Sequence, residues 1–170
     1  MDDRLSPLFA RRSIRRYTGA PVKDHDIKAL LEAAMAAPSA RGLDPWRFVV
    51  VTERKRLDRL AGLHPYASML DRAGACIAVC GDESVSPDFW VQDCSAATEN
   101  ILVAASMLGM GAVWLGVHPR KDREQGLKRE LGIPERTGLL CLVALGIPAE
   151  PPEPRTRYDE DKVRREHWGG

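Results

Sequence analysis

Four short runs of consecutive apolar residues constrain the fold of this chain more than any other feature of its sequence. They lie at residues 48–51, 75–80, 112–117 and 139–145. None of them alternates apolar with polar residues, as a strand with one solvent-exposed face does. Continuous apolar strands are typical of a sheet that helices cover on both faces. We therefore expect an α/β or α+β fold in three layers.

The segments between these runs carry the signals of helices. Asp24 is a good N-cap for one of them, and Pro38 ends it. The apolar residues of this helix recur at helical spacing, which predicts one buried face. The shorter helices are predicted at residues 3–10, 24–37, 54–60 and 123–131.

The longest predicted helix covers residues 87–108. Ser86 is a good N-cap, and Pro87 suits the first helical position. Gly109 or Gly111 supplies the stop. Apolar residues occupy most sides of this helix, and such a helix is buried, often between two subunits. We therefore expect a homodimer.

The C-terminal residues differ in character from the rest of the chain. Residues 150–170 are rich in proline and in charges of both signs, and they cannot form a core of their own. Their large aromatic residues, Tyr158 and Trp168, favour docking over disorder. We therefore expect one domain over residues 1–149, followed by a docking tail over residues 150–170.

Composition and charge exclude several classes of protein. The formal net charge is +1, which argues against a general nucleic-acid binder. No apolar run approaches the roughly 20 residues needed to span a bilayer, and the first residues lack the pattern of a secretory signal. The four cysteines have no CxxC spacing and no histidine at ligand spacing, so we expect buried thiols, a cytoplasmic location and no metal site.

Two basic segments are candidates for a phosphate site. Residues 11–17 read Arg-Arg-Ser-Ile-Arg-Arg-Tyr, and residues 154–158 contribute Arg155 and Arg157. Arginine offers forked donors to a phosphate, and serine adds a short one. The alternative for residues 11–17 is a solvated basic patch, which is equally favoured for that segment alone. The alternative for residues 154–158 is a charged tail, which is favoured for that segment in isolation.

Two further segments could bring backbone close to a flat ligand. Residues 36–48 join a small-residue helix end to a strand through a polar loop. Residues 109–117 place Gly116 near the end of a strand, where a ligand can lie against exposed main chain. The alternatives are an ordinary helix-to-strand connection and a core strand with a packing glycine, and each is favoured for its segment in isolation.

The motifs that the sequence lacks limit the possible chemistry. There is no GxGxxG, GxxxxGK[ST] or GxSxG motif, so the dinucleotide-fold, P-loop and nucleophile-elbow interpretations fail. An enzyme with this sequence would rely on a bound cofactor that the protein positions. We therefore name no catalytic side chain.

Taken in order, the four candidate segments resemble the nitroreductase family of flavoproteins. RRSIRRYT resembles the family's N-terminal signature, and PSARGLDPWRFVVV resembles its second. WVQDCSAATENILVAASMLGMGAVWLGV is similar to the long central helix and following strand of the shorter members, and PRTRY resembles the C-terminal basic pair. The similarity extends from about residue 8 to residue 158. It implies a three-layer sandwich with a central, mostly antiparallel sheet, intertwined as a homodimer.

The resemblance also implies that FMN is bound in two sites between the subunits. The residues that correspond to contacts with its phosphate, ribityl chain and pyrimidine edge are Arg11, Arg12, Ser13 and Arg15. The phosphate site would be completed by Arg155 and Arg157. The ring would be lined by Pro38 and Ser39 of the partner subunit and by the backbone of Leu115 and Gly116. The tail would embrace the other subunit.

The reaction that the resemblance implies has two steps. NAD(P)H gives a hydride to the flavin N5 and leaves, and a small acceptor such as a nitroaromatic or a quinone then takes the electrons. Family members commonly carry Asn or Gln in the loop before Pro-Trp, where this chain has Gly42, Leu43 and Asp44. An acidic Asp44 facing the flavin would disfavour the anionic reduced ring.

Three other functions are compatible with parts of this pattern. A specialised flavoenzyme of the same fold, such as a dehydrogenase, a dehalogenase or a flavin-consuming enzyme, would share every motif. A non-catalytic flavin-binding protein would bind the cofactor without oxidising NAD(P)H. A nucleic-acid module that uses the N-terminal arginines is the least favoured, because the total charge is near neutral.

Overall fold

The computed structural model describes residues 2–150 and 153–168. After a 3-10 turn at Asp3–Leu5, the helices are α1, Ser6–Ala10; α2, Asp24–Met35; α3, Arg54–Leu63; α4, Trp90–Met107; and α5, Lys121–Leu131. The strands are β1, Trp46–Val51; β2, Ala75–Asp82; β3, Gly111–Gly116; and β4, Thr137–Gly146. Further 3-10 turns lie at Ala40–Gly42, Ser68–Asp71 and Glu160–Lys162. Each predicted helix and strand is present, with ends that differ by a few residues.

The strands form one sheet in the order β1-β2-β4-β3, and all neighbouring strands are antiparallel. Val143 in the centre of β4 faces Ile77 of β2 on one side and Trp114 of β3 on the other. β3 is an edge strand, and its start is joined by the N-terminal segment through a parallel bridge between Ser13 and Ala112. The prediction of a mostly antiparallel central sheet is confirmed.

Helices cover both faces of this sheet. Ile77 and Val79 of β2 belong to the core under α2 and α4, whereas Cys76 and Ala78 belong to the core under α3 and α5. Successive side chains of a strand point to opposite faces, so a strand buried on both sides is apolar at every position. The predicted three-layer α+β arrangement is confirmed.

Two predicted helix starts are wrong. The N-cap of α2 is Lys23, which makes no side-chain cap, and Asp24 is instead the first helical residue, where a negative charge is favourable. α4 begins at Trp90 rather than at Pro87, because the hydroxyl of Ser86 is buried and donates to the Asp93 carboxylate at 3.3 Å. Gly109 follows α4 with a φ of 71°, so this predicted stop is confirmed.

Several large apolar side chains are exposed near α1 and the end of α4. This region, the apolar end patch, consists of Leu5, Leu8, Met107 and Leu108. In the tail, Trp168 is 88% exposed. The structure is of a single chain, so the homodimer remains a prediction. No helix in the described part of the chain is long and apolar enough to cross a membrane.

The predicted burial of the cysteines is confirmed, because all four are buried free thiols. Burial raises the pKa of the Cys76, Cys80 and Cys94 thiols to about 12. Within residues 2–150 and 153–168, no group of three or more His, Cys, Asp or Glu side chains is placed to hold a metal ion.

Candidate functional site

The N-terminal basic segment lies along the end of the sheet where β3 begins and β4 ends. The Ile14 N–H donates to the Ala112 carbonyl at 2.9 Å, and the buried Tyr17 hydroxyl donates to the carbonyls of Ile14 and Ala144 at 2.7 and 3.1 Å. Ile14 and Tyr17 are buried, whereas Ser13 is exposed. The apolar residues of the motif therefore fix the backbone and leave polar side chains free to bind a ligand.

Part of the tail returns to this segment. The Arg155 N–H donates to the Phe9 carbonyl at 3.2 Å, and the Arg12 Nη1 donates to the Glu153 carbonyl at 2.9 Å. The pKa of Arg155 is lowered most by repulsion from Arg12 and next by repulsion from Arg157. Desolvation and repulsion from Arg11 lower it less. Two sequence-distant motifs thus form one arginine group, which consists of Arg11, Arg12, Arg155 and Arg157.

The arginine group has little negative charge to balance it. Arg11 lies 3.3 Å from the Glu99 carboxylate on α4. Among the described residues, Arg12, Arg155 and Arg157 have no carboxylate oxygen within 4.0 Å. Uncompensated guanidinium groups that repel one another are the donor set that a phosphate binds. The chemistry of this group therefore fits a phosphate-bearing cofactor.

A cavity of about 140 Å³ opens beside the arginine group. Its walls include Arg12 from the N-terminal segment, Ser106 from the end of α4 and Ala112 from β3. Pockets for cofactor-sized ligands usually measure roughly 300 to 1,000 Å³. The cavity in one chain is smaller than a flavin nucleotide requires.

Leu115 and Gly116 lie toward the other end of β3, about 13 Å along the strand from Ala112. The Val117 N–H donates to the Leu140 carbonyl in β4 at 3.1 Å. Alternate residues of a strand point their backbone N–H and C=O groups to opposite sides. Because Val117 points toward β4, Gly116 points its N–H and C=O toward the open edge of the sheet. A Cβ built on Gly116 would meet no atom within 4 Å. The N–H and the Cα of Gly116 are therefore accessible here.

The loop that contains Pro38 and Ser39 lies elsewhere in the chain. The Ser39 hydroxyl donates to the Asp44 carboxylate at 2.5 Å, and the Ala40 N–H donates to the Asp93 carboxylate at 2.9 Å. Arg41 and Asp44 have φ values of 57° and 49°, which non-glycine residues rarely adopt. The loop is thus anchored to the start of α4, and the Asp44 carboxylate accepts the bond from Ser39.

The length of α4 separates this loop from the arginine group. Asp93 holds the loop near the start of the helix, whereas Ser106 lines the cavity near its end. At about 1.5 Å per residue, these positions are roughly 20 Å apart. The structure therefore brings together Arg11, Arg12, Arg155 and Arg157. It leaves Ser13 and Arg15 exposed on the same N-terminal segment, places Leu115 and Gly116 on β3, and leaves Pro38 and Ser39 apart.

Four residues at the site were missed by the sequence analysis, and one of them, Arg123, donates to the Gly116 carbonyl. Glu99 contacts Arg11, Asp93 anchors the loop, and His64 binds the Gly116 carbonyl. Asp93 and Glu99 are acidic residues on the long apolar helix, a signal that could have been used. No sequence signal marks His64, because its partner is a backbone atom in a distant strand.

Comparison with known proteins decides the family. The model of the nitroreductase family matches residues 8–64 and 63–147. This chain belongs to the nitroreductase family. A candidate NADH dehydrogenase/NAD(P)H nitroreductase of Archaeoglobus fulgidus is 45% identical to it, over 99% of this chain and 100% of the relative.

Solved structures of nitroreductase-family proteins agree with this assignment. A candidate NADH dehydrogenase/NAD(P)H nitroreductase from Parabacteroides distasonis has a TM-score of 0.95 at 38% identity, over 99% of this chain and 100% of that one. A candidate nitroreductase from Desulfovibrio desulfuricans, solved in complex with FMN, has a TM-score of 0.83 at 30% identity over 99% of both chains. The family, the fold and the class of NAD(P)H-dependent oxidoreductase expected from the sequence are confirmed, and FMN is the cofactor bound in that second structure.

Proposed function

We propose that this nitroreductase-family protein is an FMN-dependent oxidoreductase that passes electrons from NAD(P)H to a small acceptor, such as a nitroaromatic or a quinone. The observation that carries the proposal is the unbalanced arginine group at one end of β3, with accessible main chain at Gly116 toward the other end. A phosphate-bearing, flat cofactor that extends along this edge strand would use both features.

The residues of the chain divide into phosphate and ring contacts. The arginine group and the exposed Ser13 hydroxyl would bind the phosphate, and Arg15 would reach the ribityl chain or the pyrimidine edge. The backbone of Leu115 and Gly116 would lie against the ring. Bound FMN supplies the redox chemistry by accepting a hydride at N5 and giving electrons to the acceptor. The chain would bind and orient the reactants, and no side chain need act as an acid or a base.

The remaining wall of the site would come from a second copy of the chain. Pro38 and Ser39 are anchored at the start of α4, roughly 20 Å along the helix from the cavity beside Arg12. In a dimer packed about α4, the partner's loop could lie beside the ring. The apolar end patch and the exposed aromatic groups of Tyr158 and Trp168 would be buried in the same interface. This arrangement would give residues 150–170 their docking surface on the partner.

The test is the visible spectrum of the purified protein, followed by assays of NAD(P)H oxidation. We expect flavin absorption, release of FMN rather than FAD on denaturation, and NAD(P)H oxidation that depends on an added nitroaromatic or quinone. A colourless protein that does not take up added FMN would contradict the proposal. Flavin-loaded protein that does not oxidise NAD(P)H with any acceptor would identify a flavin-binding protein instead.

A further inference from the structure

The carbonyl oxygen of Gly116 accepts two hydrogen bonds from side chains of different elements. His64, which directly follows α3, places its Nε2 3.0 Å from this oxygen. Arg123, in the first turn of α5, donates from Nη1 at 3.2 Å. A carbonyl oxygen has two lone pairs, so its capacity is filled. Two helical elements of the same layer, α3 and α5, thus converge on one peptide at the end of β3.

The hydrogen-bond network assigns the proton of His64. The Tyr66 N–H donates to the His64 Nδ1 at 3.2 Å, so Nδ1 is the acceptor and Nε2 carries the hydrogen. His64 is only 2% exposed, whereas Tyr66 is 66% exposed. The Arg123 guanidinium lies over the Tyr66 ring at 5.3 Å from its centre. The three side chains therefore support one another around a neutral, buried imidazole.

Gly116 requires this support more than other residues of the strand. It has no side chain to pack, and it lies at the end of an edge strand that no further strand or bridge joins at this position among the described residues. Glycine also has the greatest backbone freedom. The Val117 N–H, which lies in the same planar peptide as the Gly116 carbonyl, donates to β4 on the inner side of the strand. The two side-chain donors hold the same peptide from its outer side.

We propose that His64 and Arg123 are positioning residues that hold the Gly116 carbonyl, and thereby direct the outward-pointing Gly116 N–H at the flavin ring. This inference rests on the proposed function, in which the main chain at Gly116 lies against the ring. A fixed backbone donor stabilises negative charge where it develops, and the ring gains negative charge on reduction. Loosening the peptide should therefore make the bound flavin harder to reduce.

The test compares two variants of the flavin-loaded protein, His64→Leu and Arg123→Met. We expect the midpoint potential of the bound flavin to move to more negative values in both, and its reduction by NAD(P)H in a single turnover to become slower. Affinities for FMN and for riboflavin should fall by the same factor, about twofold to tenfold, because one hydrogen bond near the ring is weakened and the phosphate site is untouched. His64→Gln, which keeps a donor, should restore part of the potential.

Arg54→Met is the matched control. The Arg54 guanidinium also donates to backbone carbonyls, those of Ala73 and Leu70, but outside the candidate site. It should lower thermal stability without changing the potential. If His64→Leu and Arg123→Met behave like Arg54→Met, the two residues support folding only and the inference is wrong. If His64→Leu does not fold, the flavin potential of Arg123→Met, compared with that of Arg54→Met, tests the inference alone. Arg123 is not fully buried, so its replacement should be tolerated. If the wild-type protein binds no flavin at all, the proposed function itself is wrong.

Discussion

Removing single members of the arginine group separates a phosphate site from a merely basic surface. Arg157 has no carboxylate oxygen within 4.0 Å among the described residues, so Arg157→Ala should not destabilise the cofactor-free protein. In the FMN complex it should remove a charge-assisted hydrogen bond worth about 1.5 to 3 kcal/mol. That corresponds to a roughly tenfold to hundredfold loss of FMN affinity. Arg11→Ala should lie at the lower end of this range, because Glu99 already competes for the Arg11 guanidinium.

The assay is titration of the apoprotein with FMN and with riboflavin, followed by flavin fluorescence. Riboflavin has the same ring and ribityl chain but no phosphate, so both variants should lose far less affinity for it. Arg4→Ala is the control, because Arg4 pairs with Asp2 on the exposed N-terminal turn and should leave both affinities unchanged. Equal losses for FMN and riboflavin would refute the assignment of these arginines to the phosphate. An equal loss in Arg4→Ala would indicate a diffuse electrostatic patch.

Three further predictions concern the scaffold around the site. Tyr17→Phe leaves the Ile14 carbonyl without this donor, whereas Ala144 stays paired with Val113 in the sheet, and should lower the free energy of unfolding in urea by about 1 to 3 kcal/mol. The thiols of the four buried cysteines should not react with a disulfide reagent in the native protein, and all four should react in denaturant. They belong to Cys76, Cys80, Cys94 and Cys141. Burial raises the pKa of Glu124, but bonds from Lys121 and a backbone N–H outweigh it and lower the pKa below its ordinary 4.5. The stabilisation by ionised Glu124 is therefore full above pH 4.5 and is lost as the pH falls through the lowered native pKa. Glu124→Gln should lower the free energy of unfolding at neutral pH and lower it much less in acid.

The sequence predicts the layers of this fold because burial on both faces is encoded at every strand position. Cys76 and Ile77 are neighbours that face different cores, and both must be apolar for the same reason. Helix starts are less predictable. Ser86 is a suitable cap by residue type, but its hydroxyl is buried against Asp93, and the Trp90 ring packs where a Cβ on Gly81 or Gly138 would overlap it.

The candidate site shows the same division between local and long-range information. The N-terminal and C-terminal arginines are visible as motifs, but their convergence depends on the bonds from Arg155 to Phe9 and from Arg12 to Glu153. His64 escapes sequence analysis because it binds a backbone atom of a distant segment. A backbone carbonyl can belong to any residue type, so the sequence does not mark the residue that accepts such a hydrogen bond.

In the proposed dimer, each flavin site is built from the arginine group of one subunit and the Pro38–Ser39 loop of its partner. Mixed dimers test it most directly. One subunit carries Arg11→Ala and Arg157→Ala, and the other carries Ser39→Trp, which would block the ring from the loop side. Each homodimer should lose most of its FMN.

The measurement is the FMN content of mixed dimers purified through two different tags. We expect up to one tightly bound FMN per mixed dimer, because the unaltered loop of the first subunit completes the unaltered arginine group of the second. Mixed dimers that bind FMN as weakly as both parent homodimers would contradict the account, since the loop and the arginines would then serve a site within one chain.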